Sequence, residues 1–392
     1  MGIELGSPEI IINLPPLDSI PDGPDDLPTE GRLVGEIGPY KLSSLAFGAA
    51  TWSHFYNTDE HLTTDVPLRA IRLALRYGIR TFDTSPYYDD SEIVLGTALK
   101  ALELEFPRAS YQLVTKCGRY GADYFDYTPE TIRASVRRSL QRLHTEYLDV
   151  VYLHDVEFVA PTIEPRKDGK HAVALGEQAE AYGLKEGGES QVRGDGDQKI
   201  LDAIAELRKM QSEGLIKHVG ISGLPLPTLL RIALLVLNNP PYKPLDILMS
   251  YTQLTLQNHN LLTFLPAFIH RAHIPQLVTA SPLCMGLLTP TTPNWHPAPP
   301  AMREAGKEAL KRAQTWPGGL PAVAVSWAVK AAGGAESPMP TVVGLSSPAE
   351  VHRAVKAWRD GEEGSQELDE YARRARQAFE ETDTNEWTWA FN

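Results

Sequence analysis

The feature that most restricts the fold of this chain is a regular alternation of two kinds of segment from residue 44 onward. Short apolar runs rich in β-branched and aromatic residues alternate with amphipathic stretches whose apolar residues recur at helical spacing. About eight apolar runs can be counted, at 45–52, 79–84, 111–116, 148–154, 217–222, 245–250, 275–280 and 340–345. Strands that alternate with helices predict parallel β-α-β units.

Eight such units in succession predict an α/β fold of the (β/α)8 or TIM-barrel type. The clearest helical patterns lie at 66–78, 128–144 and 197–214. A doubly wound open sheet is the alternative, but it usually has fewer strands. In addition, no G-x-G-x-x-G follows the first run, which weakens an open dinucleotide-binding sheet. We therefore expect a single barrel domain over residues 41–392.

Three segments depart from the alternation. Residues 1–40 contain the Pro-, Gly- and Asp-rich stretch LPPLDSIPDGPDDLPTEG, and we expect an extended leader there rather than a domain. Residues 155–198 separate the fourth strand from its helix, and residues 289–306 follow the seventh strand. Because both segments leave the C-terminal ends of strands, we expect two long loops at that face of the barrel.

The composition excludes several classes of protein. The chain has 37 Lys and Arg against 50 Asp and Glu, a formal net charge of −13, which argues against a nucleic-acid partner. No run reaches the roughly 18 apolar residues of a membrane span, and the N-terminus lacks a signal-peptide pattern. The two cysteines, Cys117 and Cys284, suggest no disulfide framework. We expect a cytoplasmic protein, a monomer or weak homo-oligomer, that acts on a small molecule without a membrane partner.

Ionisable side chains end three successive predicted strands: Asp83, Lys116 and His154. Tyr88 follows Asp83 in the next loop. Chemistry in a barrel takes place at the C-terminal strand ends, so we expect these four side chains to meet at one mouth. Each one alone is explained more simply, as a helix cap, a structural ion pair or a core histidine. The four together favour a catalytic site.

The chemistry of such a group follows from its side chains. A phenol titrates near pH 10, a neighbouring Lys116 lowers that pKa, and Asp83 keeps the ammonium charged. Tyr88 could then exchange a proton with an alcohol or carbonyl oxygen that His154 orients. Side chains cannot supply a hydride, so a nicotinamide cofactor is implied. Only one histidine ends a strand, and we therefore expect no metal site.

The segment DTSPYYDDSEIVLG, residues 83–96, resembles the D-T-x-x-x-Y-x-x-S-E-x-x-L-G signature of the aldo-keto reductase family. LVTK at 113–116 and VVYLHD at 150–155 are similar to the family's lysine and histidine segments. The resemblance covers roughly residues 42–360. It implies the barrel fold, and it implies that the catalytic tetrad consists of Asp83, Tyr88, Lys116 and His154.

The resemblance also implies a cofactor site on four segments: HVGISG at 218–223, MSYTQ at 249–253, TASPLCMGLLT at 279–289 and VVGLSSPAEVHRA at 342–354. The implied contacts are Ser222, Ser250, Ser281, Leu283, Gly344, Ser346, Ser347 and Glu350. Two positions depart from the family pattern. Gly223 stands where an Asn is common, and Ala280 replaces an aromatic residue.

The last of these segments favours NAD, with NADP as the alternative. NADP-preferring members often place Lys or Arg in it, because a 2′-phosphate needs cationic partners. Here Gly344 and Glu350 occupy those places. A carboxylate repels a phosphate and can accept hydrogen bonds from ribose hydroxyls. The other interpretation of Glu350 is an acid in the first turn of a helix, stabilised by the helix dipole.

LHDVEFV at 153–159 and SPLCMGLLT resemble a sugar-dehydrogenase subgroup, the fungal D-arabinose 1-dehydrogenases and plant L-galactose dehydrogenases. This implies oxidation of an aldose at its anomeric carbon to a lactone, with Tyr88 as general base. Trp52, Asp155 and Glu157 are the candidate sugar-binding residues. Two alternatives stay open: an NADPH-dependent aldehyde or ketone reductase of the same family, and a redox-sensing cofactor-binding module with little turnover.

Overall fold

The computed structural model describes residues 11–390 of the chain. Its centre is a closed barrel of eight parallel strands, in which each strand pairs with the next along the chain and the last pairs with the first. The strands are β1 Leu45–Gly48, β2 Thr81–Asp83, β3 Gln112–Cys117, β4 Leu148–Leu153, β5 Ile216–Gly223, β6 Ile247–Tyr251, β7 Gln276–Ala280 and β8 Thr341–Gly344. Each overlaps one predicted run, and the (β/α)8 barrel is confirmed.

Helices surround the barrel. They are α1 Val66–Arg76, α2 Ser91–Ala101, α3 Pro129–Arg142, α4 Asp195–Ser212, α5 Leu226–Leu237, α6 Asn260–His270, α7 Pro300–Arg312, α8 Gly319–Gly333, α9 Pro348–Glu363 and α10 Gln366–Glu380, with a single turn at Asp59–Leu62. Helices α7 and α10 are additional to the eight β-α units and pack against each other. Their shared core includes Met302, Ala309 and Phe379.

Side chains along each strand alternate between the barrel interior and the helix layer. On β3, Val114 lies in the interior, whereas Leu113 packs against the helices. On β6, Met249 lies in the interior and Leu248 faces the helices. This alternation decides which predicted site residues can reach the mouth of the barrel.

Residues 36–43, directly before β1, lie at the opposite, N-terminal end of the barrel. A short antiparallel pair, Glu36–Ile37 with Leu42–Ser43, spans the boundary that we predicted at residue 40. Tyr40 in its turn stacks on His218, with ring centroids 3.7 Å apart. Further upstream, Asp26 binds Arg69 of α1 at 2.8 Å. The part of the proposed leader that the structure describes, from residue 11 onward, is therefore held against the barrel by hydrogen bonds and ion pairs, and residues 1–10 lie outside the described residues.

Long connections lie at the C-terminal end. The one between β4 and α4 contains a short strand, Gly169–Lys170, which pairs antiparallel with Trp387–Thr388. The connection after β7 is shorter than we predicted, because α7 begins at Pro300 and residues 300–306 are helical. The prolines that suggested an irregular segment include Pro300 at the first helical position, where its fixed φ favours helix formation.

Within residues 11–390, no helix is both long and apolar enough to cross a membrane. Over the same residues, no group of three or more His, Cys, Asp or Glu side chains could hold a metal ion. Cys117 and Cys284 are unpaired and buried, so both thiols fill space in the protein core.

Candidate active site

Asp83 and Lys116 form a buried ion pair at the C-terminal ends of β2 and β3. Lys116 Nζ donates to Asp83 Oδ1 at 2.7 Å and to the Thr84 carbonyl oxygen at 3.0 Å. The two residues are 4% and 2% exposed. A charge buried without a partner would be strongly destabilising, so each side chain depends on the other for its charged state.

Tyr88 lies beside this pair, with Lys116 Nζ 4.7 Å from the centre of its ring. The turn that follows β2 fixes its backbone. The Tyr88 N–H donates to the Ser85 carbonyl at 3.0 Å, and the Ser91 N–H donates to the Tyr88 carbonyl at 3.0 Å. The signature segment therefore folds into a tight turn that holds the phenol against the ammonium.

The pKa of Tyr88 differs from our expectation. Burial raises it to about 12, and the charge of Lys116 opposes this rise without reversing it. The expectation of a value below that of a free phenol is therefore wrong for the protein without ligands. The physical reason is the loss of water around the phenolate, which outweighs the attraction of one ammonium group. Tyr88 is a neutral phenol at pH 7, and its phenolate fraction grows as the pH rises.

His154, directly after β4, completes the group. Its ring meets that of Tyr88 edge-on, with centroids 5.6 Å apart and an interplanar angle of 89°. Ser85 Oγ lies 3.0 Å from His154 Nδ1 and also accepts the Tyr87 N–H at 3.1 Å. A Ser85 hydroxyl that donates its proton to Nδ1 would leave the imidazole proton on Nε2, the nitrogen that lies 3.6 Å from Asp155 Oδ2. Burial lowers the pKa of His154 well below 6.5, and repulsion from Lys116 and Arg119 adds to this effect.

Other residues of the signature segment, 83–96, have structural roles. Glu92 is fully buried, accepts a hydrogen bond from Thr115 Oγ1 at 2.7 Å and pairs with Arg142 at 3.3 Å. Gly96 lets α2 approach the end of α3, because a Cβ there would lie 2.0 Å from the Arg142 carbonyl oxygen. These residues attach α2 to the barrel and so position the turn that carries Tyr88.

Trp52 does not face the mouth. Its side chain is fully buried, and its ring packs against Phe47 with centroids 5.4 Å apart. The expectation that it stacks on a sugar is therefore wrong, because the 3-10 turn Ala49–Trp52 directs the ring into the core. Exposed rings follow three residues later. Phe55 is 49% exposed and Tyr56 is 44% exposed.

The exposed rings belong to loops at the mouth. Phe55 contacts Tyr87 with centroids 6.0 Å apart, and Tyr56 meets Trp295 of the β7 loop edge-on at 5.6 Å. Electrostatic interaction with Tyr88 and Tyr87 also adds to the burial-driven rise in the pKa of Tyr56. Sequence reasoning missed these rings, although an aromatic pair three residues after the first apolar run, 45–52, was a usable signal.

Asp155 lies against the predicted tetrad. It is 3% exposed, forms an ion pair with Arg119, and its Oδ2 lies 3.6 Å from His154 Nε2. Its Oδ1 is buried and has no hydrogen-bond partner in the structure. Sequence reasoning missed Arg119. Its signal was a second cation three residues after Lys116, next to a glycine at the end of β3.

Glu157 lies behind the end of β5. Its Oε1 accepts the Leu224 N–H at 2.9 Å, and its Oε2 would be 2.3 Å from a Cβ at residue 223. Gly223 is therefore required by Glu157, whose carboxyl group fills the space that a side chain there would need. Burial raises the pKa of Glu157 to about 8, and the charge of Asp155 contributes to the rise.

Replacing Glu157 with Gln is expected to remove a pH-dependent loss of stability. The folded-state pKa of about 8 exceeds the ordinary value of 4.5, so the protonated carboxyl stabilises the fold fully below pH 4.5. That contribution is lost as the pH rises through 8. Between pH 5.5 and pH 9, the unfolding temperature of the wild type should therefore fall further than that of Glu157→Gln, by about 2 °C or more. Scanning calorimetry with the exposed Glu177→Gln as control measures this, and parallel curves for all three proteins would contradict it.

The predicted cofactor residues divide into two sets. Ser222 lies on the interior face of β5, and its Oγ makes only a long contact, 3.4 Å, with the Leu153 carbonyl. Ser250 is fully buried on the same face of β6 as Leu248, so its side chain points to the helices and not into the mouth. Tyr251, its neighbour, takes the interior position, where Asp155 acts on it electrostatically.

The turn after β7 has an unusual backbone. Ser281, Cys284, Met285 and Gly286 all have positive φ, at 59°, 54°, 53° and 96°. Three non-glycine residues in this left-handed region require support from their surroundings. Leu283 supplies part of it, because its partly buried side chain packs on the core clusters on both sides of the turn.

Glu350 caps the N-terminus of α9. Its Oε2 accepts both the Ser346 N–H and the Ser346 hydroxyl at 2.7 Å, and Ser347 Oγ accepts the Glu350 N–H at 3.4 Å. The structure therefore gives Glu350 the helix-stabilising role of the alternative interpretation. Gly344, at the end of β8, is close to Thr51, whose Cγ2 would be 2.8 Å from a Cβ at that residue.

These residues fit a nicotinamide dinucleotide. Next to the reacting groups, Asp83 Oδ2 and Asp155 Oδ1 are buried without partners, and Ser222 has an under-used hydroxyl. The ends of β7 and β8 carry small residues, Ala280 and Gly344, and Gly344 is exposed. Ser222 would hold the carboxamide, and the β7 and β8 loops would hold the phosphates and the adenosine.

Comparisons with known proteins agree with this geometry. A sequence model described as the Aldo/keto reductase family matches residues 44–370. The chain is 35% identical over 326 residues to D-arabinose 1-dehydrogenase of Saccharomyces cerevisiae, covering 82% of this chain and 85% of the relative. It is 32% identical over 332 residues to L-galactose dehydrogenase of Arabidopsis thaliana, covering 84% and 88%. These relatives represent the subgroup that the histidine segment resembles.

Solved structures agree at the level of the fold. An aldo-keto reductase of Bacillus halodurans superposes with a TM-score of 0.58 at 19% identity, over 89% of this chain and 96% of that one. A glycerol dehydrogenase of Gluconobacter oxydans gives a TM-score of 0.57 at 21% identity, over 90% and 96%. With the family match over most of its length and two relatives above 30% identity, the chain belongs to the aldo/keto reductase family.

Proposed function

We propose that this protein is an aldose 1-dehydrogenase, which oxidises the anomeric hydroxyl of a sugar to a lactone and uses NAD. The observation that carries the proposal is the buried pair of Asp83 and Lys116, whose Oδ1 and Nζ atoms are 2.7 Å apart. Lys116 Nζ lies 4.7 Å from the ring centre of Tyr88, and an uncharged His154 lies across from the phenol. This arrangement suits reversible proton transfer at a hydroxyl oxygen. Family membership and two sugar-dehydrogenase relatives support the choice of reaction.

The side chains take distinct roles in the proposed reaction. A bound nicotinamide ring would accept the hydride from C1. Tyr88, as phenolate, takes the proton of the anomeric hydroxyl, and Lys116 stabilises the phenolate charge. Asp83 keeps Lys116 charged. His154 donates its Nε2 proton in a hydrogen bond to the same hydroxyl oxygen and so orients it.

The exposed rings Phe55, Tyr56 and Trp295 replace Trp52 as the proposed sugar-stacking surface. Aromatic rings pack on the C–H faces of sugars, and these three are between 41% and 49% exposed. Asp155 Oδ1 is an available acceptor for a second sugar hydroxyl. We propose the sugar as the small-molecule partner, while a cytoplasmic location and a monomer or weak homo-oligomer stay predictions.

The preference for NAD is supported by the occupied N-terminus of α9. The Glu350 carboxylate already binds the Ser346 N–H, so a 2′-phosphate at this helix end would compete with a like charge. Arg353, which is mostly exposed, lies 4.0 Å from Glu350, so its charge is partly offset.

Replacing Glu350 with Gln is expected to raise the use of NADP relative to NAD. Removing one like charge near a phosphate at a protein surface is worth about five- to tenfold in relative kcat/KM. Gln keeps an acceptor for the Ser346 N–H, so the cap stays in place. Steady-state kinetics with both cofactors measure the ratio, and Glu363→Gln at the exposed end of the same helix is the control. An unchanged ratio would remove the electrostatic argument for NAD.

The proposed function is tested by absorbance at 340 nm with purified protein, NAD or NADP, and a panel of D-arabinose, L-galactose, L-fucose and D-xylose. We expect NADH formation with one or two of these sugars, lost in Tyr88→Phe. NADPH consumption with simple aldehydes and no sugar oxidation would instead favour the carbonyl reductase. Tight cofactor binding without turnover on any of these compounds would favour the redox-sensing module.

A further inference from the structure

Arg119 occupies a cage of aromatic rings at the mouth of the barrel. Its guanidinium lies 4.0 Å from the ring centre of Tyr87, 5.1 Å from that of Phe125 and 5.0 Å from that of Phe158. The side chain is only 12% exposed. A cation held against several ring faces with little water around it is fixed in position.

Every nitrogen of this guanidinium has a partner. It donates to the Tyr87 hydroxyl at 3.1 Å, to the carbonyl oxygens of Gly121 and Ala122 at 3.3 Å and 3.2 Å, and to Asp155. Four of its five N–H groups are therefore used within the protein. A side chain bound in this way positions its neighbours rather than reaching for a substrate.

The ion pair with Asp155 connects Arg119 to the imidazole of His154. Asp155 Oδ2, the oxygen that binds Arg119, is also the atom 3.6 Å from His154 Nε2. All three side chains are buried or nearly so. A lone carboxylate at this distance would favour an imidazolium, whereas a carboxylate neutralised by a guanidinium does not.

We propose that Arg119 is a positioning residue that acts through Asp155, and that it keeps His154 an uncharged imidazole whose Nε2–H can be donated to the reacting oxygen. The step that uses this hydrogen bond rests on the proposed aldose oxidation. The charge state of the ring does not, because it follows from contacts within the protein alone.

The surroundings of the ring favour the same state. Titratable or charged side chains that contact His154 or act on it electrostatically come from four elements: Tyr87 and Tyr88 in the β2 loop, Lys116 and Arg119 from β3 and its loop, Tyr127 before α3, and Asp155 after β4. Asp83, Glu157 and Tyr251 interact with these groups. The charge of Asp83 is neutralised by Lys116. The charge of Asp155, the carboxylate nearest to the ring, is neutralised by Arg119.

The test is an NMR pH titration of the His154 ring in the full chain without substrate or cofactor. The signal is assigned by its absence in His154→Gln. In the wild type we expect a neutral ring from about pH 5.5 to pH 9. In Arg119→Met, which keeps the apolar contacts with the rings and removes the charge, we expect the ring to titrate within that range.

Two further variants separate charge from structure. Arg119→Lys keeps the positive charge and should keep the ring neutral. The double variant Arg119→Met with Asp155→Asn removes both charges and should restore a neutral ring. Should Arg119→Met fail to fold, Arg119→Gln replaces it with the same expectation. A His154 ring that stays neutral in Arg119→Met would overturn the proposal. So would a ring that titrates in the double variant at the same pH as in Arg119→Met.

Kinetics supply an independent readout when a substrate has been identified. The ratio of kcat/KM for Arg119→Met to that of the wild type should change by about tenfold across the pH range in which the ring titrates. A loss that is purely structural would lower this ratio by the same factor at every pH and would contradict the proposal. If the NMR result holds and no sugar is oxidised, the proposed function fails and the charge-setting role of Arg119 stands.

Discussion

Tyr88→Phe is expected to lower kcat/KM for sugar oxidation by about 10²–10⁴-fold, the usual contribution of a positioned general acid–base group. The ring and its contact with Lys116, 4.7 Å away, are kept, so only the proton-transferring hydroxyl is lost. Protein stability should change little. Tyr124→Phe, which removes the hydroxyl of an exposed tyrosine, is the matched control and should stay within a few-fold of the wild type.

The rate of sugar oxidation is expected to increase with pH. Because burial raises the pKa of Tyr88 to about 12, the phenolate fraction of the protein without ligands increases throughout the neutral and alkaline range. Oxidation by the wild type should therefore accelerate as the pH rises from 7 to 10, and the residual activity of Tyr88→Phe should lack that dependence. Initial rates at 340 nm across buffers of constant ionic strength measure both. A wild-type profile that is flat over this range would argue against Tyr88 as the base.

Asp83→Asn is expected to lower the free energy of unfolding by about 3–5 kcal/mol, because it leaves the Lys116 ammonium buried without its carboxylate. Both side chains are 6% exposed or less, so water cannot compensate. Urea unfolding at pH 7.5 measures the loss. Asp202→Asn on the exposed face of α4 is the control, with an expected change below about 0.5 kcal/mol.

The double variant Asp83→Asn with Lys116→Met distinguishes a charge effect from a packing effect. Removal of both charges should recover much of the lost stability, since no unpaired ion is left in the interior. Activity should stay low in both variants. In Asp83→Asn the Lys116 ammonium beside Tyr88 loses the carboxylate that keeps it charged, and in the double variant the ammonium itself is absent. A double variant less stable than Asp83→Asn alone would show that packing at the ends of β2 and β3, and not charge pairing, accounts for the loss.

The barrel could be predicted because its evidence is local and repeated. Each strand is a short apolar run, and eight of them alternating with helices leave few topologies. The meeting of Asp83, Lys116 and His154 follows from the same reasoning, since parallel strands of a closed barrel end at one face. The alternation of side chains along β6 also indicates that Tyr251, and not Ser250, faces the barrel interior. The resemblance of the motif had indicated Ser250 instead.

The fold, and the face at which its ionisable strand ends converge, can be predicted from the amino-acid sequence because both depend on local patterns and on the topology of parallel strands. The solvation and pairing of each side chain depend instead on how the folded segments pack together. This packing buried Trp52, raised the pKa of Tyr88, and set Glu157 behind Gly223. It also joined Arg119 to Asp155 across 36 residues of chain. Such properties arise from segments distant in sequence that exclude water together, and no local pattern encodes them.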